Sequence, residues 1–293
     1  MFKIFVDSAA NIPAVIVKKY DINVISFVNV VNGKEIVNFD PNWTIEEERE
    51  KGKEYYNAIR NGADVKTGLI SIARFSEEFQ KAFDEGYDVL YFSLSKNISG
   101  NFNSARLASL DLLDNPNNHH KIRLIDSLNA SLAQGILAIY ASEMRKEGKD
   151  IDEVADYLET CVPKMNGVFT VGDLKYLSHT GRIKGSVAFV GNALKIKPIL
   201  TGSEDGHIIL IDKAIGVNNA YKQLANKYEQ LAEDKNDDVY ITHTDNEKGA
   251  LFLLDKLKEK GLKGQCHISI HEPMTGSHLG PGSVALFFKG IHK

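Results

Sequence analysis

Short apolar runs alternate with amphipathic stretches along the chain. Residues 4–6 are apolar and lead into Asp7-Ser8, and Pro13 then opens a helical pattern through Val15, Ile16 and Tyr20. Asn32-Gly33 separates the β-rich runs 24–31 and 34–37, which predicts a hairpin. Thr44 and Glu47 have capping-box spacing, so a charged helix is expected to about Arg60. Ser71 caps a further predicted helix, with Ile72, Phe75, Phe79 and Phe83 on one face and Gly86 as its stop. The run 89–92 reads as a buried parallel strand, followed by a polar loop and a helix bearing Leu107, Leu110 and Leu113. Strand 122–125 ends in Asp126-Ser127 before a helix over 130–146, and Asp150 with Glu153 opens a helix to about Val162.

Three times, an apolar strand ends in a Ser- or Asp-rich loop that enters a helix. This alternation predicts a parallel sheet covered by helices, with ligands beyond the carboxyl ends of its strands. The second half, from about Pro163, reads differently. Strand 167–171 precedes helical stretches 173–178 and 186–194, and strands 197–201 and 207–213 flank the turn Glu204-Asp205-Gly206. Helix 217–233, strand 239–242, helix 248–260 and strands 265–270 and 283–288 complete a predicted mixed sheet with helices packed on it.

At 293 residues the chain suits about two domains of roughly 150 residues. Its 43% hydrophobic content and net charge of −4 argue against disorder and against a broad basic nucleic-acid surface. Cys161 and Cys266 are too few for a disulfide scaffold. No signal peptide or membrane span is legible, so a soluble, cytoplasmic protein is expected. Phosphate-binding Gly-x-x-x-x-Gly-Lys-Ser/Thr loops, HExxH, CxxC and Gly-x-Ser-x-Gly are absent from the sequence.

The remaining candidates each carry two readings. Ser99-Gly100 precedes a helix, so Ser99 is either a cap or, with free N–H groups, an anion site. In the segment 67–71, capping by Ser71 leaves Thr67 unexplained. His278 sits in a glycine-rich stretch, 276–282, read as a tight loop; it is either solvated or a donor to an anion. Arg182, after Gly181, is either a surface arginine or a bidentate carboxylate partner. Asp7 and Asp126 read as loop hydrogen-bonding groups rather than a catalytic pair. His119-His120 lacks the neighbours of a metal site. Trp43 and both cysteines read as packing residues.

In this order, the segments resemble the DegV family over essentially the whole chain. The resemblance rests on Asp7-Ser8, the segment 67–71, Ser99-Gly100-Asn101-Phe102-Asn103-Ser104-Ala105, Asp126-Ser127 with Ser131, Asp173-Leu174 through Gly181-Arg182-Ile183, the segment 197–200, and His278-Leu279-Gly280-Pro281-Gly282. Gly68 and Ile70 stand where the family usually has Ser and Pro, and Asn101 stands where it has Thr. The resemblance implies a three-layer α/β/α N-terminal domain (1–163) with a parallel sheet and a two-layer α/β C-terminal domain (164–293) with a mixed sheet. A long-chain fatty acid would lie between them. It further implies a non-enzymatic carrier with no cofactor, which presents the fatty acid to a separate ATP-dependent fatty acid kinase for phospholipid synthesis, with transient membrane encounter allowed. Thr67 and Ser99-Gly100 would hold the carboxylate, His278 would adjoin it, and Arg182 would lie near the site or the partner surface. About 15 buried methylenes at ~0.8 kcal/mol each would supply roughly 12 kcal/mol gross, before binding costs. A Ser99–His278 acyl hydrolase or acyltransferase and a small-anion sensor are the competing readings. The first requires a Ser–His hydrogen bond and the second a polar pocket without an apolar extension.

Overall fold

The computed structural model describes residues 1–183 and 195–293. The predicted helical stretch 186–194 therefore lies outside the described residues.

Strands β1 (Phe2–Asp7), β2 (Ile22–Ile25), β6 (Asp88–Ser93) and β7 (Ile122–Asp126) form a parallel sheet in the order β2-β1-β6-β7. Alternation along the strands sends side chains to opposite faces. Ile4, Val6, Leu90 and Phe92 meet α1 (Ala14–Tyr20), α5 (Leu132–Lys146) and α6 (Ile151–Cys161). Phe5, Val89 and Tyr91 meet α3 (Ile72–Asp84) and α4 (Asn101–Leu113) on the other face. The result is the expected three-layer arrangement.

The apolar run 24–31 is not one strand. Its first part is β2, whereas its second is β3 (Val28–Val31), which belongs to a separate antiparallel sheet with β4 (Lys34–Glu35) and β5 (Val65–Gly68). Asn32 and Gly33 both adopt positive φ in the β3–β4 turn, as a two-residue hairpin of this type requires. Helix α2 (Ile45–Arg60) follows, and both halves of its Thr44–Glu47 capping box are formed. The expected helix after β6 is α4, and its leucines do not form its buried face. Its buried face is Asn101, Ala105, Ala108 and Ser109, while Leu110 and Leu113 are exposed. Small side chains let α4 approach the aromatic residues of α3 and β6 closely.

The other sheet is mixed, in the order β10-β9-β8-β13-β11-β12. Its strands are β8 (Met165–Thr170), β9 (Ile196–Gly202), β10 (Ile208–Ile215), β11 (Val239–His243), β12 (Cys266–Ile270) and β13 (Val284–Lys289). All its pairings are antiparallel except β11–β12. Val168, Leu286 and Phe288 pack under α8 (Val217–Leu231) and α9 (Glu247–Glu259). Their neighbours Phe169, Ala285 and Phe287 turn the opposite way and join the core around α5. The mixed sheet thus carries helices on one face and offers the other to the N-terminal half. At the seam a side chain on Gly206, which has φ +82°, would collide with Ser95 Oγ. Asn129 Nδ2 bridges the same seam by donating to the Met165 carbonyl at 2.8 Å.

Helix α7 (Lys175–Thr180) ends at Gly181 in the left-handed region. Helix α10 (Pro273–Leu279) is the largest departure from expectation, because its residues read as loop. It is capped by Glu272, whose carboxylate accepts from Met274 N at 2.7 Å and Thr275 N at 2.6 Å. Gly276 stands where Tyr56 crosses the helix, and a Cβ there would collide with the Tyr56 hydroxyl. That hydroxyl donates to the His271 carbonyl at 2.6 Å, anchoring α10 to α2.

Candidate functional site

A cavity of about 180 Å³ lies where the carboxyl ends of the parallel strands meet the inward face of the mixed sheet. Thr67, Ser99, Arg182 and His278 all line it, although they come from β5, the loop after β6, the end of α7 and α10. Phe169, Leu177, Ile208 and Phe287 are among its apolar walls. Its described lining contains no aspartate or glutamate, and Arg182 is the one fully charged side chain in it.

The loop carrying Ser99 is held from below. Asp7 is buried at the end of β1 and accepts from Tyr91 Oη at 2.8 Å, Asn101 Nδ2 at 3.0 Å, Gln134 Nε2 at 3.1 Å and Leu94 N at 3.3 Å. Burial pushes its carboxyl up to about 6 despite those bonds, which favour the ionised form. Asp7 therefore ties β1, β6, α4 and α5 together behind the cavity, in line with the hydrogen-bonding role expected of it. Asp126 does the same on a smaller scale, accepting from Leu128 N at 3.0 Å and Lys96 N at 3.3 Å. Asn101 uses its amide on both Asp7 and the Tyr91 hydroxyl.

Ser99 Oγ accepts from Asn101 N at 3.2 Å. This bond locks the turn before α4 but leaves the hydroxyl proton to donate elsewhere. Ser99 thus braces the turn into α4, while Gly100 rather than Ser99 is the residue flanking the helix. Thr67 pairs across the small sheet with Asn29 and has no side-chain hydrogen bond among the described residues. Gly100 does not line the cavity. It is the residue before α4, and a side chain there would press on Leu69, which does line it. Its part is shape rather than contact.

His278 is not a solvated loop histidine. Burial first, and the Arg182 charge second, push it down to about 4, so the ring is neutral at pH 7. Its Nδ1 is buried without a partner among the described residues. Arg182 donates to the Thr180 carbonyl. No hydrogen bond joins Ser99 to His278 among the described residues, so the geometry of an activated serine is not assembled.

Four further polar residues line the cavity without having been singled out as ligands: Asn129, Ser131, Thr275 and His271. Ser131 has φ 57° and ψ −144°, a conformation that L-residues rarely adopt, and its Oγ is buried without a partner among the described residues. Its trace in the sequence is its place in the family resemblance, beside Asp126-Ser127. His271 is fixed between Thr242 Oγ1 at 2.8 Å and Thr275 Oγ1 at 2.7 Å, and burial pushes it down to about 3. Among the described residues no group of three or more His, Cys, Asp or Glu side chains could hold a metal, and no helix is long and apolar enough to cross a membrane.

A parallel sheet and a mixed sheet closing over one apolar cavity with a few convergent hydroxyls define an α/β class of small-molecule binding fold. The chain matches the crystal structure of a DegV lipid binding protein from Thermotoga maritima with a TM-score of 0.84, at 31% identity over 100% of both chains. A family model described as "Uncharacterised protein, DegV family" matches residues 1–290, and the chain belongs to that family. It is 34% identical over 294 residues to a DegV domain-containing protein of Clostridium perfringens, covering 100% of this chain and 98% of the relative. It is also 34% identical to a fatty acid-binding protein of Thermotoga maritima, covering 96% of this chain and 95% of the relative.

Proposed function

We propose that this protein is a carrier for a long-chain fatty acid, bound between an N-terminal domain (1–163) and a C-terminal domain (164–293). The observation that carries the reading is the composition of the cavity. Its apolar walls combine with hydroxyl donors and Arg182, and its described lining has no carboxylate to repel an acid. The carboxylate accepts from Thr67 Oγ1 and Ser99 Oγ, with neutral His278 beside it and Arg182 supplying the compensating charge. Such hydrogen bonds to a charged acceptor are stronger than those between neutral groups. The tail lies along Phe169, Leu177, Ile208 and Phe287 and supplies most of the affinity. The similarity to lipid- and fatty-acid-binding relatives supports the same reading.

The protein does not transform its cargo. A carboxylate held only by hydrogen bonds stays available to a second protein, and a separate ATP-dependent kinase phosphorylates it to acyl phosphate for phospholipid synthesis. Denaturing mass spectrometry of an organic extract of the purified protein tests the carrier. A stoichiometric long-chain fatty acid is expected; finding none, together with no uptake of added fatty acid, overturns it. Release of free acid from ester substrates, lost in Ser99→Ala, would instead establish a hydrolase.

A further inference from the structure

A second cavity, of about 450 Å³, lies on the other side of the His271–Pro273 junction. Its walls come from five separate segments: the loop after β1, the β3–β4 hairpin, the connection to α2, one face of α2, and the turn into α10. His271 lines both cavities.

The lining of this second cavity is unlike the first. Glu48, Glu54 and Glu272 face it, with Lys51 as its one described cation. None of the three glutamates forms an ion pair among the described residues. Glu48 Oε1 accepts from Ala14 N at 2.8 Å. Burial pushes both Glu48 and Glu272 up to about 7, because no cation balances them. Buried acidic groups are ordinarily paired, so this imbalance calls for a positive ligand.

Two independent features agree. First, Phe39, Trp43 and Tyr55 supply aromatic surface, and the Lys51 ammonium already sits 5.1 Å from the centre of the Trp43 ring. That face already carries one ammonium group, and a ligand cation would take the place of Lys51 there. Second, Asn11 and Asn38 are 7% and 4% exposed, line the cavity, and each has an amide atom without a partner among the described residues. Asn38 uses its Nδ2 on the Phe27 carbonyl at 2.7 Å, which leaves an acceptor, Oδ1. Asn11 uses its Oδ1 on Glu272 N, which leaves a donor, Nδ2. An ammonium group suits the first and an oxygen on the same ligand suits the second.

We propose that this second cavity binds a small organic ammonium ion carrying a hydroxyl, an amino alcohol of the choline or ethanolamine kind, held by Glu48 and Glu272 against Trp43. This site does not depend on what fills the first cavity. Its occupant touches the Glu272 cap of α10, the helix that presents His278 to the other side.

Trp43 is the single tryptophan of the chain, so its emission reports this cavity alone. The test is a fluorescence titration of the full-length protein with choline and with ethanolamine, at constant ionic strength. A saturable change is expected with both, with little response to the neutral carbon isostere 3,3-dimethyl-1-butanol. Glu48→Gln keeps an acceptor for Ala14 N and is expected to weaken choline binding roughly tenfold, the scale of one desolvated cation–π or ionic contact. Calorimetry on Trp43→Phe provides a second variant should Glu48→Gln fail to fold, and weaker binding is again expected. No saturable response, equal binding of the isostere, or full affinity in both variants overturns the proposal.

Discussion

The two cavities are built on one scaffold and share His271, yet their chemistry is opposite. The first brings together Thr67, Ser99, Ser131, His278 and Arg182, with no carboxylate among its described walls. The second brings together Glu48, Glu54 and Glu272 with three aromatic rings. Both lie beyond the carboxyl ends of parallel strands, where side chains from strands, helices and loops converge. The fold thus determines where a ligand can sit, and a few polar residues around each site determine its sign. Burial blunts the difference in charge. It suppresses the positive charge of His278 in one cavity and raises the carboxyls of Glu48 and Glu272 in the other.

Making the first cavity resemble the second should have the largest effect. Ser99→Asp places a carboxylate against that of the ligand, and an unpaired buried charge costs about 3 kcal/mol or more. Fatty acid binding is expected to fall by at least roughly a hundredfold, measured by displacement of a fluorescent fatty acid. Removing a donor without adding charge is milder. Ser99→Ala or Thr67→Val each loses one hydrogen bond to a charged acceptor, about 1.5 kcal/mol, or roughly tenfold in Kd.

The pH dependence of folding distinguishes the cavities by direction. His278 titrates lower in the folded protein than the ordinary 6.5, so the folded state binds fewer protons than the unfolded state between about 4 and 6.5. Its contribution to stability is complete above that window and is lost on acidification through it. Glu272 is raised to about 7, so its contribution runs the other way, falling as pH rises from the ordinary carboxylate range to about 7. Urea midpoints of His278→Gln should therefore fall less than those of the unaltered protein between pH 6.5 and pH 4. The smallest effect is expected from Trp43→Phe, which should change fatty acid affinity by less than about threefold, since conservative changes outside a site usually stay within ~0.5 kcal/mol. A larger change would show that the two cavities act as one.

Much of the fold was legible because several local signals pointed the same way. Ile4–Val6, Leu90–Phe92 and Ile125 are apolar on both faces because helices cover both, and Thr44, Ser71, Asp150 and Gly181 mark helix ends through hydrogen bonds local to the sequence. What escaped depended on distant partners. Helix α10 looked like a loop because Gly276 belongs to the crossing with Tyr56, 220 positions earlier in the chain, and seven residues are too few to show a helical period. Leu110 and Leu113 are exposed, and α4 packs through alanines, which periodicity does not reveal. Thr67, Ser99, Arg182 and His278 could be named individually, and only the fold brings them to one cavity. Ser131 entered only through the family resemblance, and its unusual backbone geometry is visible only in the fold. The second cavity had no sequence signature at all, since no two of its walls share a motif. Trp43, read as a packing residue, is part of its lining.

The most direct test of the first cavity is a comparative titration of palmitic acid and its methyl ester against the unaltered protein, Ser99→Ala and Thr67→Val. The two ligands share a tail and differ in the group offered to the hydroxyls. The acid is expected to bind at least roughly tenfold more tightly than the ester to the unaltered protein, with the gap shrinking in each variant. Equal affinity for acid and ester, or a gap unchanged in both variants, would contradict a carboxylate held by Thr67 and Ser99.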